Sequence, residues 1–273
     1  MANSDLLKEK LFKIKENNFL IDDSINVFEI SLNMMQYIGS VDAELRDNLI
    51  YSTFNRWTIN GVYTCEQMRQ LLNTCLDEEH LFYKIGEKDT DSVFTRTFSA
   101  LIIPLAMYLD STIKFLTKDE IKIVKEKLIK YVKLEKDCRG YVECKGWAHS
   151  TAHVADALED VAKSDYIDHD ELLEILDAIK MKICINNYTY INEEDERMVK
   201  ATLSVFNRKL LEDDEIVKWI MSFVNIEKNG KYPEELYLIA NIKLFLRSLY
   251  FRMMHQKDTE IFTEVILDAL QKL

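Results

Sequence analysis

The chain has only six glycines and two prolines in 273 residues, too few for the many tight turns of a β-rich fold. No apolar run is long enough to span a bilayer: the longest, Ala100 to Leu109, is short and interrupted by Pro104. The amino terminus, MANSDLLKEKLFKIKENN, carries charges throughout and lacks the apolar centre of a signal peptide. Five cysteines (Cys65, Cys75, Cys138, Cys144, Cys184) form an odd set without a CxxC pair, which reads as free thiols in a reducing compartment. There is no dense Lys/Arg tract, and 47 acidic against 35 basic residues leave a formal charge of −12 that repels polyanions. Glycine-rich phosphate loops, a serine elbow, an EF-hand and HExxH are all absent. A cytoplasmic protein follows, without a nucleic-acid or membrane partner.

Helix signals fill the space those absences leave. Hydrophobic residues make up 48% and charged residues 30%, a globular balance. Ser4 and Ser24 precede helix-periodic stretches, and Thr64–Gln67, Thr117–Glu120 and Asp168–Glu171 have capping-box spacing, in which the cap oxygen accepts an orphan backbone N–H. Leu45, Leu49 and Trp57 fit a helix closing near Gly61, and Val93 to Leu105 mark another with Pro104 inside it. Later helices are expected over Lys118–Leu134, Trp147–Lys163, Glu171–Cys184, Glu193–Leu211, Asp213–Val224, Glu234–His255 and Thr259–Leu273. The reading is all-α: one domain over residues 1–273, with roughly a dozen helices packed as antiparallel pairs. A curved array, an α-solenoid or HEAT-like superhelix, is the expected architecture, although no strict repeat is visible.

Chemistry concentrates in Arg139 to Leu158, RGYVECKGWAHSTAHVADAL. A helix beginning near Trp147 puts His149, His153, Asp156 and Asp160 within an arc of about 60°, away from an apolar side that includes Trp147 as a core anchor. Two histidines four apart suit one cation, a divalent transition metal such as zinc. Asp156 lies about 10 Å along the axis from His149, so its place is to orient His153. A further ligand would come from Glu143, Cys144 or His80. The bland alternative, a hydrated polar face, stays open. With carboxylates on the same face, both histidines are expected to be easier to protonate than usual.

The same segment and its neighbours also suit an anion. Arg139 and Lys145 are candidate clamps, with Tyr141 and the histidines shaping the pocket, and Gly140 and Gly146 allow the turns that gather them. Arg96, on one helical side with Ser92 and Ser99 behind Asp91, is a third cation; its alternative is a salt bridge in so acidic a chain. Arg197, in NEEDER, stands as a fourth.

The strings HLFYKIGEKDTDSVFTRTFSALI, EKDCRGYVECKGWAHSTAHVADAL and NEEDERMV together resemble a bacterial family catalogued as domain of unknown function 2785, over about residues 45–197. The resemblance implies that Asp91, Arg96, Arg139, Lys145, His149, His153 and Asp156 belong together, and that relatives carry glycine where Cys144 stands. It implies no reaction, cofactor or partner. The leading expectation is a binding module holding a small anionic molecule or a peptide in a concave polar groove, with Asp91, Arg96, Arg139, Tyr141 and Lys145 as ligand contacts. A metal-dependent hydrolase using His149 and His153, with Glu143 as general base through a bound water, is the alternative. A scaffold with no small-molecule site is the third.

Overall fold

Reciprocal caps open three of the helices where their spacing predicts them: Thr64 with Gln67, Thr117 with Glu120, and Asp168 with Glu171. The computed structural model describes residues 3–22, 25–228 and 230–273. Ser24 lies outside the described residues; Asn26 caps the following helix by accepting the Glu29 N–H at 3.2 Å. Ser4 falls inside the first helix rather than before it.

The chain runs through α1 (Asn3–Glu16), α2 (Val27–Gln36), a π-helical segment (Glu44–Tyr51) continuing into α3 (Ser52–Ile59), α4 (Cys65–Cys75), α5 (Ser92–Ile113) and α6 (Lys118–Leu134). A two-stranded hairpin, β1 (Tyr141–Val142) and β2 (Gly146–Trp147), follows. Then come α7 (Ser150–Ala162), α8 (His169–Ile183), α9 (Glu194–Asn207), α10 (Asp213–Met221), α11 (Glu234–Met253) and α12 (Glu260–Lys272). The fold is all-α, and the expected dozen helices are present among the described residues. Gly61 closes α3 at φ +66, where the Val62 N–H reaches back to the Trp57 carbonyl at 2.9 Å.

The hairpin corrects the helix expected from Trp147. Tyr141 pairs with Trp147 and Val142 with Gly146, so Trp147 belongs to a strand, and α7 starts three residues later. His149 takes a left-handed conformation at φ 50 and turns the chain from strand into helix. Cys144, at the hairpin tip, is also left-handed at φ 61, the conformation that costs glycine least.

Packing proceeds by alternate helices. α7 lies between α5 and α9, α9 packs on α11, and on the other side α6 packs on α8 and α10 on α12. α5 is long and apolar enough to cross a membrane by length and composition alone, but 72% of its most apolar window is buried inside the fold. A cluster of buried side chains runs from Leu7 in α1 to Ala269 in α12. Each fully buried aliphatic side chain of this kind stabilises the fold by about 1.5–3 kcal/mol.

Candidate functional site

The hairpin is held from below by a residue that the sequence left unremarked. Arg46, fully buried in the π-helical segment, donates to the Ser40 carbonyl at 2.5 Å and the Lys145 carbonyl at 2.7 Å. Its guanidinium stands 4.2 Å from the Phe94 ring centroid and 4.7 Å from that of Phe98, so two aromatic faces replace its lost water. Gly146 is needed above it: at φ +79, a Cβ would come within 2.9 Å of Ala43 and 3.0 Å of the Arg46 guanidinium.

The loop leading into the hairpin is organised by two buried carboxylates. Glu135 takes Arg96 in a two-pronged pair at 2.6 and 3.0 Å, and Asp137 takes Arg139, with 2.6 Å to Nη2. Asp137 also accepts the Asp89 N–H at 2.9 Å, and its carbonyl accepts the Ser150 hydroxyl. The turn into α7 is closed by the Ala148 N–H on the Gly140 carbonyl at 2.8 Å and the His149 N–H on the Arg139 carbonyl at 3.0 Å.

Beyond the hairpin, a groove of about 620 Å³ opens along α5, α7 and the start of α9. Trp147, His149, His153, Asp156, Ile191 and Arg197 line it, with Tyr51, Leu101, Asn192 and Glu193. Trp147 is not a core anchor: it is 40% exposed and stacks on His149, with 4.4 Å between ring centroids and 26° between planes. His153 is buried, set edge-on to Phe98 at 5.2 Å, with Nδ1 at 3.2 Å from the Thr97 carbonyl. A carbonyl only accepts, so Nδ1 carries the proton and Nε2 keeps its lone pair.

Burial sets the electrostatics here, against expectation. It pushes His149 down to about 4, helped by the Arg197 cation and opposed by a backbone hydrogen bond with Asn192. Burial pushes His153 down to about 3, helped by His149. The expected ease of protonation is therefore reversed, because removing an imidazolium from water outweighs the backbone hydrogen bonds to each ring, and Arg197 adds a repelling cation. Asp156 does not orient His153; it accepts both of its bonds from Nη1 of Arg197, at 2.7 and 2.8 Å. Burial raises Asp156 above the usual carboxylate range despite that cation. Glu194, buried at the start of α9, is raised for the same reason. Its Oε1 stops 3.7 Å from His149 Nε2, too far for a hydrogen bond, and both atoms are buried without one.

The expected ligand contacts scatter around this groove rather than into it. Arg96 is completely buried on Glu135 and presents no charge to a groove. Arg139 is taken up by Asp137 and the Thr90 carbonyl, and Lys145 by Asp91 at 2.7 Å. Tyr141 is exposed at the rim, set edge-on to Trp147 at 5.1 Å. Glu143 sits exposed beside Cys144 at the hairpin tip and is not among the residues lining the groove. His80 bonds Asp77 at 2.8 Å. The His149 and His153 rings are perpendicular at 5.9 Å, and among the described residues no three His, Cys, Asp or Glu side chains converge as a metal set would. The groove residues that sequence reasoning missed are Tyr51, Ile191 and Glu193, with Glu194 behind them. NEEDER offered a signal for the two glutamates, and nothing local marked Tyr51.

Residues 81–251 match a family described as "Protein of unknown function (DUF2785)". That stretch holds the hairpin and the α5, α7 and α9 walls of the groove, and leaves out Arg46 and Tyr51. No curated protein and no solved structure matches the chain.

Proposed function

The chain belongs to the DUF2785 family, and we propose that it is a binding module whose ligand lies in the groove along α5, α7 and α9. One observation carries this reading. Trp147 stays 40% exposed despite its stack with His149, and Tyr141, edge-on to it, and Ile191, lining the same groove, are 57% and 75% exposed. Leaving that much apolar surface in water is unfavourable unless something covers it part of the time.

The polar groups specify what would fit. Among the described residues Arg197 bonds Asp156 through Nη1 alone, which leaves its Nε and Nη2 edge to a carboxylate. Neutral His153 offers a lone pair at Nε2 to an N–H or O–H donor. A small organic acid or a peptide segment with a planar or apolar group on Trp147 satisfies all three. Arg197 thereby takes the role that Arg96, Arg139 and Lys145 cannot fill. The successive packing of α5, α7, α9 and α11 supports a curved array with this layer inside, a common setting for extended binding surfaces. Five unbridged thiols support a cytoplasmic setting.

Titrating the full chain with free amino acids, dicarboxylates and short peptides tests the proposal. Trp57 and Trp219 are buried, so the exposed Trp147 reports by fluorescence in the wild type and in Arg197→Gln, and titration calorimetry reads Trp147→Ala, which lacks that reporter. Arg197→Gln and Trp147→Ala should each weaken a genuine ligand by about tenfold or more. A ligand that binds both variants as it binds the wild type would overturn this site.

A further inference from the structure

Among the described residues, Glu194 is a buried carboxylate that no lysine or arginine neutralises. It is 1% exposed at the start of α9, where Oε2 accepts the Asn192 N–H at 2.8 Å and Oε1 has no hydrogen-bond partner. The one base it faces is His149, whose Nε2, 3.7 Å from Oε1, is equally buried and unpartnered. His149, held down to about 4, is neutral at pH 7 and supplies no charge. Its bond with the Asn192 backbone favours the protonated ring, so the ring is the donor there. Because Nε2 has no partner, that donor is Nδ1, and Nε2 keeps a lone pair. Two acceptors thus face each other with no hydrogen between them. A buried carboxylate normally has a positive partner, since leaving it alone in a low-dielectric interior is costly.

The packing of α7 on α9 sets a second feature in register with this gap. His149 stands opposite Glu194, and further along the same two helices Asp156 stands opposite Arg197. Glu194 and Arg197 are three residues apart, so they share a side of α9 about 4.5 Å apart along its axis. The open edge of the Arg197 guanidinium therefore lies one turn from the unneutralised carboxylate.

We propose, on the footing that this groove holds the ligand, that the ligand carries a primary ammonium close to its carboxylate, as a free amino acid or a short peptide does. Glu194 Oε1 and His149 Nε2 hold the ammonium, and Arg197 holds the carboxylate. An ammonium has three N–H donors and no acceptor, so it satisfies both atoms at once and gives Glu194 its missing countercharge. A water or a neutral amide would fill the hydrogen bonds and leave the charge unpaired. A metal ion would need further ligands, and among the described residues no three His, Cys, Asp or Glu side chains converge. Both acceptor atoms are closed to water, so the ammonium enters by a turn of the His149 ring, which lines the groove and stacks on Trp147.

Calorimetric titration of the full chain with pairs of compounds that differ only at the amine tests the assignment. The pairs are phenylalanine and hydrocinnamate, leucine and isocaproate, glutamate and glutarate, and phenylalanylglycine and its N-acetyl form. In at least one pair the free amine should bind about tenfold or more tighter, and whether that pair is an amino acid or the dipeptide tells the two sources apart. Glu194→Gln keeps the side chain's size and an acceptor for the Asn192 N–H. It should erase the preference and leave the amine-free partner within about threefold of its wild-type affinity. Circular dichroism checks that the variant folds, and the wild-type comparison needs no variant. Amine-free acids that bind as tightly as their partners overturn the inference and leave the groove as a ligand site. A preference that survives in folded Glu194→Gln overturns the role of this carboxylate. A chain that binds no member of any pair overturns the inference and the groove reading together.

Discussion

The imidazole of His149 stacks on the indole of Trp147, with 4.4 Å between centroids, across the turn that leads from β2 into α7. The left-handed backbone at His149 lies between the two elements, two residues after Trp147 in β2 and one before Ser150 in α7. A left-handed non-glycine residue costs about 1–2 kcal/mol, so the hydrogen bonds and ring contacts around it must offset that strain.

The first expected outcome is spectroscopic. With His149 near 4 and His153 near 3, their ring C–H resonances should stay flat between about pH 7.5 and 5.5, where an ordinary histidine titrates. His169, raised by its bonds to Asp170 and Glu215, should titrate above the usual 6.5. A His149 or His153 midpoint near 6.5 would show that burial does not govern the groove.

Stability should follow the same histidines. Their folded values lie below the unfolded 6.5, so the unfolded chain binds the extra protons on acidification. Their contribution is complete above pH 6.5, and is lost as pH falls from there toward 4 for His149 and 3 for His153. At pH 5 the loss is about 2 kcal/mol per histidine. The raised carboxyls of Asp156 and Glu194 act in the opposite sense, which makes a difference measurement preferable. His153→Asn keeps a donor for the Thr97 carbonyl, and in urea unfolding should remove about 2 kcal/mol of the pH 7 to 5 decline. An unchanged decline would assign the effect to other groups.

The Arg96–Glu135 pair should behave as a buried ion pair, since both side chains are wholly inaccessible. Glu135→Gln strands a buried guanidinium and should cost about 3–5 kcal/mol in urea unfolding. Arg96→Met with Glu135→Leu should recover much of that loss by removing both charges. A double variant as unstable as the single one would indicate that the carbonyl bonds of Arg96 to Tyr83, Lys84 and Glu87 matter more than the pair.

Gly140 should not tolerate alanine. A Cβ there would meet Asn192 Oδ1 at 2.1 Å and Glu194 Oε1 at 2.8 Å. Asn192 is half-buried and can turn aside, whereas Glu194 is buried against His149 and cannot. Gly140→Ala should lose about 1–3 kcal/mol and shift the Asn192–Arg197 amide resonances. A fully stable variant with unmoved resonances would mean that α9 has more freedom than its packing implies.

The sequence alone determined that the chain is all-α and where most helices start, because capping boxes and helical periodicity are local. Thr117 and Glu120 need only each other, three residues apart, to mark a helix start. It also gathered the chemistry of Arg139 to Asp156 into one segment. Partners and solvent exposure were decided by tertiary structure. Arg96 finds Glu135 across 39 residues and Asp156 finds Arg197 across 41, separations over which no periodicity operates. The helix wheel through Trp147 failed because a tight turn at His149, stabilised by Arg46 and Asp137 from outside the segment, resets the phase of every side chain before it. Whether those histidines are hydrated or buried depends on which helices pack over them, and that is a property of the assembled α5, α7 and α9 layer.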